Sequence, residues 1–206
     1  MSEVFSRANL QARLLQSPGV NAFSPPHPRH GDHVLNLDLA DAAARPAAVL
    51  VPLVAHAAGM NVLLTQRAAA MRDHSSQIAF PGGKIDAADG SPLEAALREA
   101  EEEIGLARRH IELLGYLDPY QTGTGFRIQP VVALVIPPFA LAINAGEVEA
   151  AFEVPLAFLM NPANHLRHSR LWQGRERFFH AMHYRERYIW GATAGILHNL
   201  YERLAN

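Results

Sequence analysis

Glu99, Glu102 and Glu103 lie close together in the run "REAEEEIGL", and just ahead of them stands "FPGGK", residues 80–84. Turned at about 100° per residue, the three glutamates fall within roughly 100° of arc on a helix, while Glu101 points elsewhere. Carboxylates gathered this way repel by roughly a few tenths of a kcal/mol per pair in water, and by more when desolvated. A divalent cation reverses that sign. Oxygen ligands on one face are what Mg²⁺ takes, with water and substrate phosphates completing its shell. Gly82 and Gly83 let the backbone approach a phosphate or an ion, adjacent N–H groups can hold anions, and Lys84 adds a positive charge. An acidic helix alone reads as a solvated face, and a glycine pair alone as a turn. Their juxtaposition is what points to metal-assisted phosphate chemistry. Arg98 lies four residues after Glu94 and four before Glu102, so it can orient a carboxylate without being a ligand.

Such side chains need a helix with firm ends. Ser91-Pro92-Leu93-Glu94 makes a capping box with proline at the first helical position. Gly105 supplies the left-handed residue wanted at the other end. The helix is predicted over about 92–104, with Leu93, Leu97, Ala100 and Ile104 as its buried stripe. Around it, residues 47–54 and 61–67 read as a hairpin, and 111–117 and 127–136 as further strands. Residues 146–160 read as a strand leading into a short helix, and two strands flank "GRE" in a second hairpin. A closing helix runs over 191–204, with Ile196, Leu197, Leu200 and Leu204 on one side. Strands and helices without regular βαβ spacing imply an α/β fold, a mixed β-sheet sandwiched between α-helices. Residues 3–17 look like a short amphipathic helix and 18–46 an irregular arm. The expected division is therefore 1–45, an N-terminal helix and arm, and 46–206, one domain.

Composition narrows the rest. The chain has 206 residues, 49% hydrophobic and 18% charged, with no cysteine. Chains of this size bury roughly 70% of their unfolded surface and need no covalent staples. Disulfides and thiolate metal sites are excluded. A formal net charge of -2 argues against a protein that coats nucleic acid, so no nucleic acid is expected. No apolar run reaches the roughly 20 residues that span a bilayer, the first twenty residues are not a secretory signal, and a cytoplasmic location is expected. The histidine pairs His165/His168 and His180/His183 fall in predicted strands, where a spacing of three puts the members of each pair on opposite faces. They read as structural or surface residues. Arg167, Arg170, Arg175, Arg177, Arg185 and Arg187 read as a basic surface, and no nucleophilic triad is visible.

The stretch "GGKIDAADGSPLEAALREAEEEIGL" resembles the Nudix box, G-x5-E-x7-R-E-U-x-E-E-x-G-U. Arg98, Glu99, Glu102, Glu103, Gly105 and Leu106 match its second half. In the first half, Gly83 to Arg98 is one residue longer than the pattern, Gly90 occupies the first glutamate position, and Asp89 is the nearest carboxylate. Upstream, "LLTQRAAAMRDHSSQIAFPGG" is similar to the additional motif of the coenzyme A diphosphatase branch, through Leu63, Leu64, Thr65, Ala68, Arg72, Phe80, Pro81, Gly82 and Gly83. Arg67 stands where that motif has a small hydroxyl residue, and Ser76 where it has glycine.

The resemblance implies a Nudix fold and metal-dependent hydrolysis of the diphosphate of coenzyme A or a derivative, giving 3′,5′-ADP and 4′-phosphopantetheine. Its cofactor would be Mg²⁺ or Mn²⁺. Glu99 and Glu103 are the expected principal ligands, with Glu102 sharing metal or activating water. Glu147 is a second candidate base, or simply a surface residue at a strand edge. Arg98 is expected in a catalytic supporting role, and Arg67, Arg72, Phe80, Gly82, Gly83 and Lys84 in substrate binding. The partner is a small molecule, no membrane is involved, and a homodimer is left open. Rival readings are another Nudix substrate (an oxidised nucleoside triphosphate, ADP-ribose or a dinucleoside polyphosphate), a non-catalytic Nudix ligand sensor, and a plain acidic interaction helix.

Overall fold

The computed structural model describes residues 5–18, 29–39, 44–69 and 76–205. Among the described residues the central sheet has nine strands. They are β1 (His30–Gly31), β2 (Arg45–His56), β3 (Gly59–Arg67), β4 (Ile78–Ala79), β5 (Gly82–Lys84), β6 (Ile111–Tyr116), β7 (Tyr120–Gln121), β8 (Phe126–Val135) and β9 (Val148–Pro155). A second sheet is formed by β10 (Leu166–Trp172), β11 (Arg175–Tyr184) and β12 (Arg187–Trp190). The helices are α1 (Arg7–Arg13), α2 (Asp32–Leu35), α3 (Pro92–Ile104), α4 (Leu156–Leu159) and α5 (Ala192–Ala205).

The central sheet is mixed, as expected for this α/β fold. β2 and β3 form the predicted antiparallel hairpin, with Ala57 and Ala58 at the turn and His56 paired to Gly59. β2 also runs parallel to β8 along its length, from Arg45↔Phe126 to Val54↔Val135. The continuous valine and leucine of these strands follow from burial on both faces. One face carries Ala48, Leu50, Val54 and Leu63 together with α3, and the other carries Val51, Leu53, Val62 and Leu64 together with α5. The second hairpin, β10–β11, turns at Gln173-Gly174, and β12 completes its sheet.

The described parts of the amino-terminal segment pack against the rest of the fold. Leu10 and Leu14 are buried, and Leu15 exchanges backbone hydrogen bonds with Tyr116. β1 pairs with β7, and Asp32 accepts hydrogen bonds from the Tyr120 hydroxyl and the Gly123 N–H, each at 2.7 Å. Nothing in the composition of this segment announces those partners, which lie some ninety positions along the chain. Among the described residues, no helix is long and apolar enough to cross a membrane.

The histidines divide between faces. His180 stacks on His198 at 4.3 Å, and His165 Nδ1 lies 2.9 Å from His198 Nδ1, all beside α5. On the opposite face, His168 and His183 sit against Tyr188. The inner group responds to acid. Burial first, and the neighbouring His198 second, pull His180 down to about 4, and burial also lowers His30 and His165. An unfolded histidine titrates near 6.5. The stability these neutral rings contribute is therefore complete above about pH 6.5 and is lost as pH falls toward about 4. For His180, discounted for its partial exposure, the loss is on the order of 1 kcal/mol. His180→Phe keeps a ring on His198 and removes the proton. It should lose less stability than the parent between about pH 7 and pH 5 in urea unfolding, and equal losses would refute this account.

Candidate active site

The helix α3 begins and ends where its sequence dictates. Ser91 caps it, its side chain accepting the Glu94 N–H, Pro92 occupies the first turn, and Gly105 closes it in the left-handed conformation at φ 65°. Its orientation about its axis differs from the expectation. Leu93 and Leu97 are only partly buried, whereas Ala95, Ala96, Ala100, Glu103 and Ile104 are buried. The inward face is thus turned by roughly 80° from the leucine stripe. The cause is size: three alanines let the helix axis come close to β2, and the leucines pack along its flank. This rotation carries Glu103 inward, to 3% exposure.

A buried carboxylate needs partners, and the "FPGGK" stretch supplies one. The Gly82 N–H donates to Glu103 Oε2 at 3.2 Å, and Arg67 Nη1 stands 3.8 Å from Glu103 Oε1. These contacts do not offset desolvation. Burial pushes the Glu103 carboxyl up to about 7, with Glu99 and Glu147 adding to the rise. Glu99 is also raised, by burial first, against the pull of Arg98. Its carboxylate lies over Gly83, where an added Cβ would meet Glu99 Oε1 at 2.5 Å. Glycine here is a matter of space.

Glu147 arrives from outside the helix. It stands just before β9, and Asn144 Nδ2 donates to its Oε1 at 3.0 Å. The Asn144 N–H bonds the Glu103 carbonyl, and the Ala68 N–H bonds the Glu147 carbonyl. One loop is therefore fastened both to the end of α3 and to the end of β3. Glu99, Glu103, Glu147, Arg67, Gly82 and Gly83 are thereby gathered into one region.

Arg98 is the hub of the outer half. Its Nε and Nη2 grip Asp89 at 3.0 and 2.9 Å, and its Nη1 donates to Glu99 at 2.9 Å and Glu102 at 3.0 Å. Nη2 also donates to the Lys84 carbonyl at 3.2 Å. The guanidinium holds Asp89 below the usual carboxylate range. Asp89, in the extended first half of the box, is a bidentate anchor for Arg98, a role that spacing alone did not reveal. Glu102 is exposed and accepts a hydrogen bond from Arg98. Lys84 is exposed as well, and its carbonyl is what joins the network. Phe80, expected near substrate, is 4% exposed and packs into the core. Its side chain anchors the strand end in the core. Arg72 lies outside the described residues.

The donor set fits a hard divalent cation. Glu99 and Glu103, both raised, lie within electrostatic reach of Glu147, and like charges so placed are relieved by a metal. Among the described residues, no three His, Asp or Glu side chains converge as a ready ligand set, because Arg98 draws Glu99 and Glu102 toward itself.

The NUDIX domain matches residues 44–179 of the chain. A protein of Pectobacterium atrosepticum named "Uncharacterized Nudix hydrolase NudL" is 40% identical over 158 residues, 76% of this chain and 81% of that one. The protein of that name from Escherichia coli (strain K12) is 38% identical over 156 residues, with the same coverage. Among solved structures, the Nudix hydrolase RenU of M. smegmatis aligns over 57% of this chain and 74% of its own at 22% identity, with a TM-score of 0.48. The Ap4A hydrolase of C. elegans aligns over 54% and 80% at 20% identity, with a TM-score of 0.47.

Proposed function

The chain belongs to the Nudix family, hydrolases of nucleoside diphosphate derivatives, and from that premise we propose that its substrate is coenzyme A or a derivative. Cleavage of the diphosphate would give 3′,5′-ADP and 4′-phosphopantetheine, acylated or not. One observation carries this reading. Gly82, one of the residues that match the coenzyme A diphosphatase motif, donates its N–H to Glu103 at 3.2 Å. The stretch that resembles this motif thus ends at the acidic centre.

In this reading Glu99 and Glu103 would hold a Mg²⁺ or Mn²⁺ ion, with Glu102 able to join them. The ion supplies charge neutralisation to the diphosphate. Arg67, 3.8 Å from Glu103, would offer its positive charge to a phosphate bound there. Gly83 leaves room for the Glu99 carboxylate against the backbone, and the Gly82 N–H holds Glu103. Arg98 positions Glu99 and Glu102 through contacts that Asp89 anchors. Glu147, or the solvent-exposed Glu102, takes the proton of the attacking water.

A substrate panel tests the proposal. With Mg²⁺ or Mn²⁺, the protein should release 3′,5′-ADP from coenzyme A, identified by mass, faster than it turns over ADP-ribose, oxidised nucleoside triphosphates or dinucleoside polyphosphates. Turnover of one of those compounds with coenzyme A left intact would overturn it.

A further inference from the structure

Two neighbours at the end of β3 reach in opposite directions. Arg67 meets Glu103 on α3, while Gln66 Oε1 accepts from Arg187 Nη1 of β12 at 3.0 Å. Beside Gln66 lies a recess of about 400 Å³, bounded also by Ile78, Arg187, Tyr188 and Trp190. Consecutive Cα atoms are only about 3.8 Å apart, and Ile78 leads through Phe80 to Gly82. Recess and acidic centre therefore share one end of the sheet.

The walls of the recess are flat and fixed. Tyr188 and Trp190 alternate onto one face of β12, their ring planes 18° apart and centroids 6.4 Å apart. His168 stacks on Tyr188 at 23° and its Nδ1 lies 2.7 Å from the phenol oxygen. Trp190 is braced by Phe179 at 5.2 Å and by the Arg170 guanidinium at 4.7 Å. Arg187 lies over Phe152 at 3.6 Å. Aromatic faces held rigidly in this way suit a planar ring, and an amide with a guanidinium suits its hydrogen-bonding edge. A flexible aliphatic chain gains little from near-parallel rings. A bare phosphate would meet one guanidinium already engaged by Gln66, with Glu186 alongside.

We propose that this recess seats the nitrogen heterocycle of the nucleotide half of the substrate. Tyr188 and Trp190 supply the stacking surface, and Gln66 and Arg187 address the ring edge. The assignment rests on the diphosphate reading above for the other end of the molecule, and it predicts that specificity for the base resides in β12.

Fluorescence tests it without turnover. The chain has two tryptophans, and Trp172 lies far along the second hairpin, 43% exposed, so Trp172→Phe leaves Trp190 as sole reporter. AMP should change that emission saturably, and 4′-phosphopantetheine should not. Tyr188→Ala should weaken AMP binding by about tenfold or more, and Tyr188→Phe, which keeps the ring, should restore it. No response to AMP in a protein that hydrolyses coenzyme A would overturn the subsite and leave the reaction standing. A response to AMP without coenzyme A turnover would support the subsite and sink the coenzyme A reading. A response to phosphopantetheine alone would overturn the assignment in favour of the other half of the molecule.

Discussion

Replacing Glu103 by glutamine should lower metal-dependent turnover by about two to four orders of magnitude while leaving the protein folded. The side chain is 3% exposed, accepts the Gly82 N–H and faces Arg67. Glutamine preserves volume and a carbonyl acceptor toward Gly82, so packing is retained. What disappears is a buried charge that desolvation already penalises. The metal-free variant should therefore match or exceed the parent in thermal stability. The parent should gain stability from Mg²⁺ or Mn²⁺, about 2.7 kcal/mol at a hundred times Kd, and the variant should gain much less. Full activity in the variant would remove Glu103 from the site, and an undiminished metal-dependent shift would remove it from the ligand set.

The second large effect separates two adjacent glycines. Gly82 has φ 155°, and a Cβ there would press on the Ala48 carbonyl oxygen and stand 2.6 Å from Val49 Cα. Neither backbone group can yield without disrupting the β5–β2 pairing at Val49↔Gly82. Gly82→Ala should cost about 3 kcal/mol or more. At Gly83 the obstacle is the carboxylate of Glu99, the far end of a flexible side chain. Gly83→Ala should keep the melting temperature within a few degrees and lose most of the activity, because Glu99 must vacate its position. Gly90→Ala, where a Cβ meets nothing within 4 Å, serves as control. Equal stability losses at Gly82 and Gly83 would contradict this distinction.

Much of the fold is legible in local chemistry. The ends of α3 follow from Ser91, Pro92 and Gly105, and the β2–β3 hairpin from two apolar runs about a short turn. What pattern could not give is depth. Hydrophobicity assigns Leu93 and Leu97 to the core, whereas the sheet receives the alanines beside them, and Glu103 follows them inward. Contacts between distant segments are equally invisible. Nothing in "NAGEVEAAF" states that Asn144 binds the end of α3 and brings Glu147 near Glu99 and Glu103. Gly90 in the glutamate position obscured Asp89, whose role depends on where Arg98 reaches in three dimensions. Phe80 belongs to a motif and lies in the core, since a motif records that a residue is required without saying for what. Tyr188 and Trp190 open "YIWGATAGIL", a segment similar to one in the coenzyme A diphosphatase branch, but their pattern assigns them no role, because alternating aromatic residues on a strand are ordinary.

The alanine seam of α3 has a mechanical consequence. Ala95, Ala96 and Ala100, each with no exposed surface, act as a shim of minimum thickness between helix and sheet. A bulkier residue at Ala96 would lift the acidic side chains as one rigid block. Their mutual spacing would persist while the gap to the Gly82 amide widened. Standoff height is thus a single adjustable dimension of this scaffold, set without altering one glutamate.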